Sequence, residues 1–273
     1  MSFLAEMAAQ SAARTPAPGA EAALLAACRA MPPPPPLRLA GFDLVAEIKR
    51  YSPAEGALQA DADVAARATG YAQAGAAAVS VLTEPARFGG SLEDLAAAAR
   101  SLAPLGVPAM RKDFLVDPRQ VLEARAAGGG GVLLIVAMLD DAALGEMLAA
   151  AREQALFVLL EAFDESDLER AAALLAGGRN PGEAPVLVGV NTRDLRTLAV
   201  DPGRLARLAP RLPAGVAAVA ESGLHTPADA AAAAALGYRL ALVGTALMRA
   251  AEPARLVKDM LAAGRRTVTE GAA

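Results

Sequence analysis

A chain of 273 residues, 55% of them hydrophobic, can bury a large core and fits either one large α/β domain or two small ones. A formal net charge of −4, an isoelectric point near 5.2, 3% aromatic residues and no tryptophan exclude the basic footprint and stacking platforms of a nucleic-acid binder. A single cysteine, Cys28, and a single histidine, His225, exclude an internal disulfide and any cysteine- or histidine-rich metal site. Cys28 reads as a small apolar filler and His225 as a solvated loop residue.

The first 43 residues stand apart. "MSFLAEMAAQSAARTPAPG" has an acid at Glu6 and no basic stretch ahead of an apolar run, so it makes a poor signal peptide. Two alanine-rich segments, around 2–14 and 20–30, flank the "TPAPG" break, and Pro32 to Pro36 form an extended polyproline spacer without amide hydrogens. This is an N-terminal helical and proline-rich extension, 1–43. Apolar runs such as "GGVLLIVAML" are about half the length that spans a bilayer, so the expectation is a soluble, cytoplasmic protein with no membrane partner.

From residue 44 short β-branched or leucine-rich runs alternate with alanine-rich helical stretches. Strands are expected near 44–48, 78–82, 107–111, 131–136, 156–160, 186–190, 216–220 and 240–244. Helix caps stand between them: Ser91 with Asp94 three residues on, Asp117 before Pro118, and Thr226 before Pro227 with Gly237 closing that helix. Near-continuous apolar runs indicate strands covered on both faces, hence a parallel sheet with helical crossovers. Eight such units predict a single (β/α)8 barrel over 44–265, with a tail over 266–273. A doubly wound sheet would show a glycine fingerprint after its first strand, where this chain has "EIKRYSPAEG".

Barrel active sites lie at the C-terminal strand ends. The first strand ends in Glu47 and Lys49, which the two-residue period sends to one face. In the third, Lys112 shares a face with Met110 and Phe114, opposite Arg111 and Asp113. Glu161 ends the fifth, Asn191 the sixth with Arg193 on the same parity, and Glu221 the seventh, followed by Ser222 and Gly223. A charge after an apolar run ordinarily marks the chain stepping into solvent or capping a helix, and Asp113, Asp164 and Asp194 read that way. Two lysines, three glutamates and an asparagine at one end of a barrel demand more, because such a cluster is stable only when its members pair with each other or with a polar ligand. They can also shift each other's pKa values, as acid/base catalysis requires. "ESGLHTP" and "LVGTALMR" place glycines at the last two strand ends, the usual phosphate site of a barrel, which makes Gly223, Gly244 and Thr245 candidate phosphate ligands.

The segments "AEIKRYSPAEG", "VLTEPARFGGSLEDL", "RKDFLVDPRQVLEARAAG", "GVNTRDLRTLAVD", "AVAESG" and "LVGTALMRA", in this order over nearly all of 44–250, resemble the indole-3-glycerol-phosphate synthases. The resemblance implies conversion of 1-(2-carboxyphenylamino)-1-deoxyribulose 5-phosphate to indole-3-glycerol phosphate in tryptophan biosynthesis, with loss of carbon dioxide and water and no cofactor. It implies Lys112 as general acid, with its pKa lowered by burial and Lys49 against the opposing glutamates. It assigns Glu161 and Lys49 to the dehydration, Glu47, Asn191 and Arg193 to a polar network that orients lysines and substrate, and Glu221 as a further active-site acid. Ser52, Ser222, Gly223, Gly244 and Thr245 match substrate and phosphate contacts, and Phe114 and Leu242 flank the anthranilate ring. The small-molecule substrate is the only partner expected, the chain being a monomer or weak homodimer. Two departures stand out: the extension is short of Lys and Arg where the family has a basic one, and Ala54 and Glu55 replace a serine and a basic residue. The alternatives are a non-catalytic phosphosugar-binding barrel, disfavoured by the intact charged set, and another phosphosugar isomerase or lyase. A phosphoribosylanthranilate isomerase would use a cysteine base, and Cys28 lies far from any strand end.

Overall fold

A computed structural model of the chain describes residues 2–52, 56–59, 62–176 and 183–271; Ala54 and Glu55 fall outside them. Eight parallel strands, β1 Asp43–Ile48, β2 Ala78–Leu82, β3 Ala109–Lys112, β4 Gly131–Ile135, β5 Phe157–Ala162, β6 Val186–Asn191, β7 Ala218–Glu221 and β8 Leu240–Val243, close into a barrel in which β8 pairs back onto β1. Two helices precede it, α1 Phe3–Ala13 and α2 Glu21–Ala30. The crossovers carry α3 Val64–Gln73, α4 Leu92–Leu102, α5 Pro118–Ala126, α6 Asp141–Glu153, α7 Glu165–Leu175, α8 Arg204–Leu208 and α9 Pro227–Ala235, and α10 Pro253–Gly271 follows β8. Ser91, Asp117 and Thr226 cap α4, α5 and α9 through their side chains, the last two as full capping boxes. Among the described residues no helix is long and apolar enough to cross a membrane.

Some strand boundaries differ from the expected ones for a chemical reason. β3 starts after Pro108, which has no amide to give the ladder, and β7 starts three residues after Gly215, whose φ of +75° belongs to a turn. At the other end β5 and β6 run on through Glu161 and Asn191, so these polar residues are ladder members rather than loop residues. Their direction is fixed by the pleat.

That pleat separates two cores. Leu44, Ala46 and Ile48, Val158 and Leu160, and Val188 and Val190 point outward to the helices. Val45, Met110, Leu133, Phe157, Leu159, Leu187, Val219, Leu240 and Leu242 fill the lumen. The extension belongs to the second core. Leu4 and Met7 of α1 are buried at the mouth, while Leu37 and Leu39, beyond the prolines, pack at the opposite end. Between these ends α2 runs along α5: the Cys28 thiol donates to the Leu122 carbonyl, and Arg125 donates to the carbonyls of Met31 and Pro32 at 3.1 and 2.6 Å. Prolines that cannot donate still accept, and a buried guanidinium supplies the donors.

Asp113 departs from its reading as a loop or cap residue. It is buried, and its carboxylate accepts from both terminal nitrogens of Arg14 at 3.2 and 3.0 Å, from Arg111 at 3.2 Å and from Thr83 Oγ1 at 2.8 Å. Its outward parity directs it away from the lumen, to where α1 crosses the barrel rim. Burial raises its pKa, but the Arg14 hydrogen bonds and the charges of Arg111 and Arg14 outweigh that and hold it below the usual aspartate value. Its stabilising effect is therefore complete above the pH at which an unfolded aspartate titrates, ~3.9, and is lost as pH falls through the lower folded value. Asp113→Asn is expected to cost about 3 kcal/mol at neutral pH by stripping a buried ion pair, and to flatten the acid limb of stability, as read by denaturant melts across pH.

Candidate active site

The mouth of the barrel encloses a cavity of about 280 Å3. Its floor is built from strand ends. Glu47 of β1 accepts Lys49 Nζ at 2.8 Å on one oxygen, while Lys112 Nζ of β3 lies 3.9 Å from the other. Burial pushes the Glu47 carboxyl up in pKa, but the charges of Lys49 and Lys112 outweigh it and hold the group below its ordinary value. Lys112 also stands 3.9 Å from Glu161 Oε2 of β5. Here the structure corrects the sequence reading. Burial does lower the pKa of Lys112, but Glu161, Glu47 and Glu221 together outweigh it and raise the value, so the resting lysine is a firmly held ammonium. The expected contribution of Lys49 is offset because that lysine is already paired with Glu47.

Glu47, Lys49, Lys112, Asn191 and Glu221 line the cavity, as do Ser52, Phe114, Arg193, Ser222, Gly223, Leu242, Gly244 and Thr245. Glu161 does not; it lies fully buried behind Lys112. Asn191 Oδ1 accepts from the backbone N–H of Arg193 at 2.9 Å, fixing the start of the loop after β6. The Arg193 guanidinium turns along that loop, donating to the Leu198 carbonyl at 3.3 Å, rather than onto the lysines. Asp194 and Asp164 behave as read: Asp164 caps α7 and both hold Arg196. His225 is exposed on the rim, and its backbone N–H bonds Asp229.

Glycine makes room in this floor at two places. A Cβ on Gly244 would strike Glu47 Oε1 and crowd Lys49 Nζ, and one on Gly189 of β6 would strike Glu221 Oε1. Gly244 thus serves the Glu47–Lys49 pair as well as the cavity wall. On the side toward β7, Ser222 and Gly223 take successive φ angles of +64° and +73°, a turn that brings their backbone to the rim beside Gly244 and Thr245.

The opposite wall is aromatic. Phe3 of α1 meets Phe114 edge-on at 6.0 Å, and Phe88 approaches the same ring at 6.2 Å. Phe88 is placed by the buried Glu84 carboxylate, which accepts the N–H groups of Ala86, Arg87 and Phe88 at 2.8, 2.6 and 3.1 Å. Sequence reasoning singled out only Phe114. The signal for Phe88 was its place in the "TEPARFGG" segment; for Phe3, inside the extension, there was none. The geometry offers two ammonium groups and three carboxylates on one floor, an apolar slot for a flat ring, and a glycine-rich rim. Among the described residues no group of three His, Cys, Asp or Glu side chains is arranged to hold a metal ion.

Comparison with known proteins agrees with this geometry. Residues 38–260 match the family model described as indole-3-glycerol phosphate synthase. An indole-3-glycerol phosphate synthase of Parafrankia sp. is 46% identical over 233 residues, covering 85% of this chain and 82% of that one. The Nocardioides sp. enzyme of the same name is 45% identical over 228 residues, covering 84% and 83%. Among solved structures, a tryptophan synthase chain from M. tuberculosis and a 3-hexulose-6-phosphate synthase from Salmonella typhimurium each superpose with a TM-score of 0.59. They are 20% and 15% identical, cover 83% of this chain, and are themselves covered to 94% and 100%. These likenesses establish the barrel, whereas the family match and the close relatives establish kinship: the chain belongs to the indole-3-glycerol phosphate synthase family.

Proposed function

We propose that this cavity closes the indole ring of 1-(2-carboxyphenylamino)-1-deoxyribulose 5-phosphate, with Lys112 as the general acid at the ketone oxygen. The observation that carries this reading is the placement of Lys112 Nζ, 3.9 Å from each of two buried carboxylates and facing an enclosed cavity. A carbonyl attacked by an aromatic carbon develops negative charge on oxygen, and a positioned ammonium both stabilises that charge and delivers a proton. Glu47 holds Lys112 and Lys49 together. Lys49, at the cavity wall, and Glu161, acting from behind Lys112, serve the dehydration that follows decarboxylation. Asn191 orients the substrate hydroxyls, and Arg193 approaches the phosphate from the loop after β6.

The substrate's two ends fit the two walls. Its carboxyphenyl ring matches the slot between Phe3, Phe88 and Phe114, closed below by Leu242. Its phosphate matches the backbone at Ser222, Gly223, Gly244 and Thr245, with Ser52 opposite. Because Phe3 comes from α1, the extension is part of the binding unit in this reading. The barrel and the 1–43 segment work as one catalytic domain.

Incubation of the purified protein with the anilino-deoxyribulose phosphate should yield indole-3-glycerol phosphate, followed by its fluorescence. Lys112→Ala should lower kcat by on the order of 10²–10⁴-fold, the range of a lost general acid, while the variant melts like the wild type. Absence of product from folded wild-type protein would sink the reading. Gly244→Ala should displace the Glu47–Lys49 pair and lower kcat/KM by on the order of 10²-fold, a misplacement effect; a variant as active as the wild type would remove Gly244 from the site's design.

A further inference from the structure

Three carboxylates and two ammonium groups share the floor: Glu47, Glu161 and Glu221 against Lys49 and Lys112. Among the described residues no other charge is placed to repair the imbalance. Asp113 is matched by Arg111 and Arg14 on the outer side of β3, and Arg193 is engaged with its own loop. The neighbours of the two deeper carboxylates along the ladder are Ile135 and Gly189 beside Glu161, and Asn191 and Leu242 beside Glu221. Fully ionised, the floor would hold one uncompensated negative charge in an apolar lumen, an arrangement that burial strongly disfavours.

The hydrogen-bond inventory locates the remedy. All four carboxyl oxygens of Glu161 and Glu221 are buried, and no donor among the described residues bonds any of them. Glu221 Oε1 nonetheless occupies the space a side chain at Gly189 would fill, and Gly189 is the ladder neighbour of Glu161, so Glu221 leans over β6 toward the Glu161 carboxyl. Two carboxylates cannot bond each other; a carboxylic acid and a carboxylate can. We propose that Glu161 and Glu221 share one proton in the resting site and that this pair is the proton reserve of the ring-closing reaction. Burial and the nearby charge of Glu161, only partly offset by Lys112, push the Glu221 carboxyl well above its ordinary value.

This inference rests on the functional reading above, and the reaction's proton balance agrees with it. Lys112 Nζ gives a proton to the ketone oxygen as the bond from the aromatic carbon forms. The shared proton then crosses the 3.9 Å from Glu161 to Lys112, restoring the ammonium and leaving both carboxyls ionised. Carbon dioxide leaves with no proton, its bonding electrons returning to the ring. The hydroxyl departs as water with a proton from Lys49. The methylene carbon between nitrogen and the former ketone loses its proton to the pair through Glu221, which lines the cavity, and Glu161 serves this dehydration from behind by sharing the proton received. The pair has its proton back, Lys49 is recharged from solvent, and one proton is consumed per turnover, as loss of carbon dioxide from an ionised carboxylate requires.

The test is infrared spectroscopy of the wild type, Glu221→Gln and Glu161→Gln at neutral pH, alongside kinetics across pH. Almost every other carboxyl is ionised at that pH, so the resting wild type should show a protonated-carboxyl carbonyl band that shifts in deuterium oxide. Both variants should lack it. The wild-type kcat should fall as rising pH strips the pair, whereas Glu221→Gln, slower by on the order of 10²-fold, should lack that alkaline limb. A merely structural Glu221 would leave the limb in place. An active wild type without the band, or a band that survives in both variants, would overturn the proposal. A band in a wild type that makes no product would overturn the functional reading while leaving the shared proton standing.

Discussion

Closure of a parallel sheet gives every inward residue of one strand a fixed height in a common lumen. That constraint, rather than any single contact, organises this protein. Along β1 and one residue past it the inward positions are Asp43, Val45, Glu47 and then Lys49, running from a charge at the bottom through one apolar layer to the charged floor. At the bottom Asp43 is answered by Arg265 of α10 at 2.8 Å and by the Ala40 amide at 2.7 Å. At the top the same strand meets lysines. The helices then have one task, to cover the outward residues, which is why alanine with its high helix propensity and small size suffices along them.

The floor is held by surplus rather than by balance. Glu47 gives each lysine one oxygen, Glu221 lines the cavity with them, and Glu161 lies behind Lys112. A phosphorylated, carboxylated substrate is anionic at both ends, and in the proposed reading it meets the two ammonium groups of that lining. Glu161, Glu47 and Glu221 favour the ammonium form of Lys112. The same arrangement explains why Lys112 lies on the raised side of its ordinary pKa: neighbours at 3.9 Å outweigh the loss of solvent.

Much of this was legible from periodicity. Alternation put Glu47 with Lys49 and Lys112 with Phe114, and a closed barrel makes those parities inward without further information. What was not legible depends on distance across the lumen. Whether Lys112 meets more carboxylate than ammonium, and that Glu161 lies behind it rather than beside it, follow from register between strands far apart in sequence. Asp113 misled for a related reason: its parity is outward, and only the passage of Arg14 over the rim makes an outward acid buried. Phe3 was hidden because composition separates the extension from the barrel, while packing does not.

The path of that extension bears on how the chain reaches its native state. Many of its hydrogen bonds reach the end of β3 and α5, some hundred residues later: Arg14 with Asp113, Ser11 with Gln120, Cys28 with Leu122. On a ribosome the segment that packs at both ends of the lumen is made before the barrel, yet these partners are missing until the third strand and its helix have emerged. Closing so long a loop is slow compared with forming local βα units. The extension therefore precedes the barrel in synthesis and docks late in folding, and its apolar residues wait in solvent while the early barrel assembles, a window in which the nascent chain is open to aggregation.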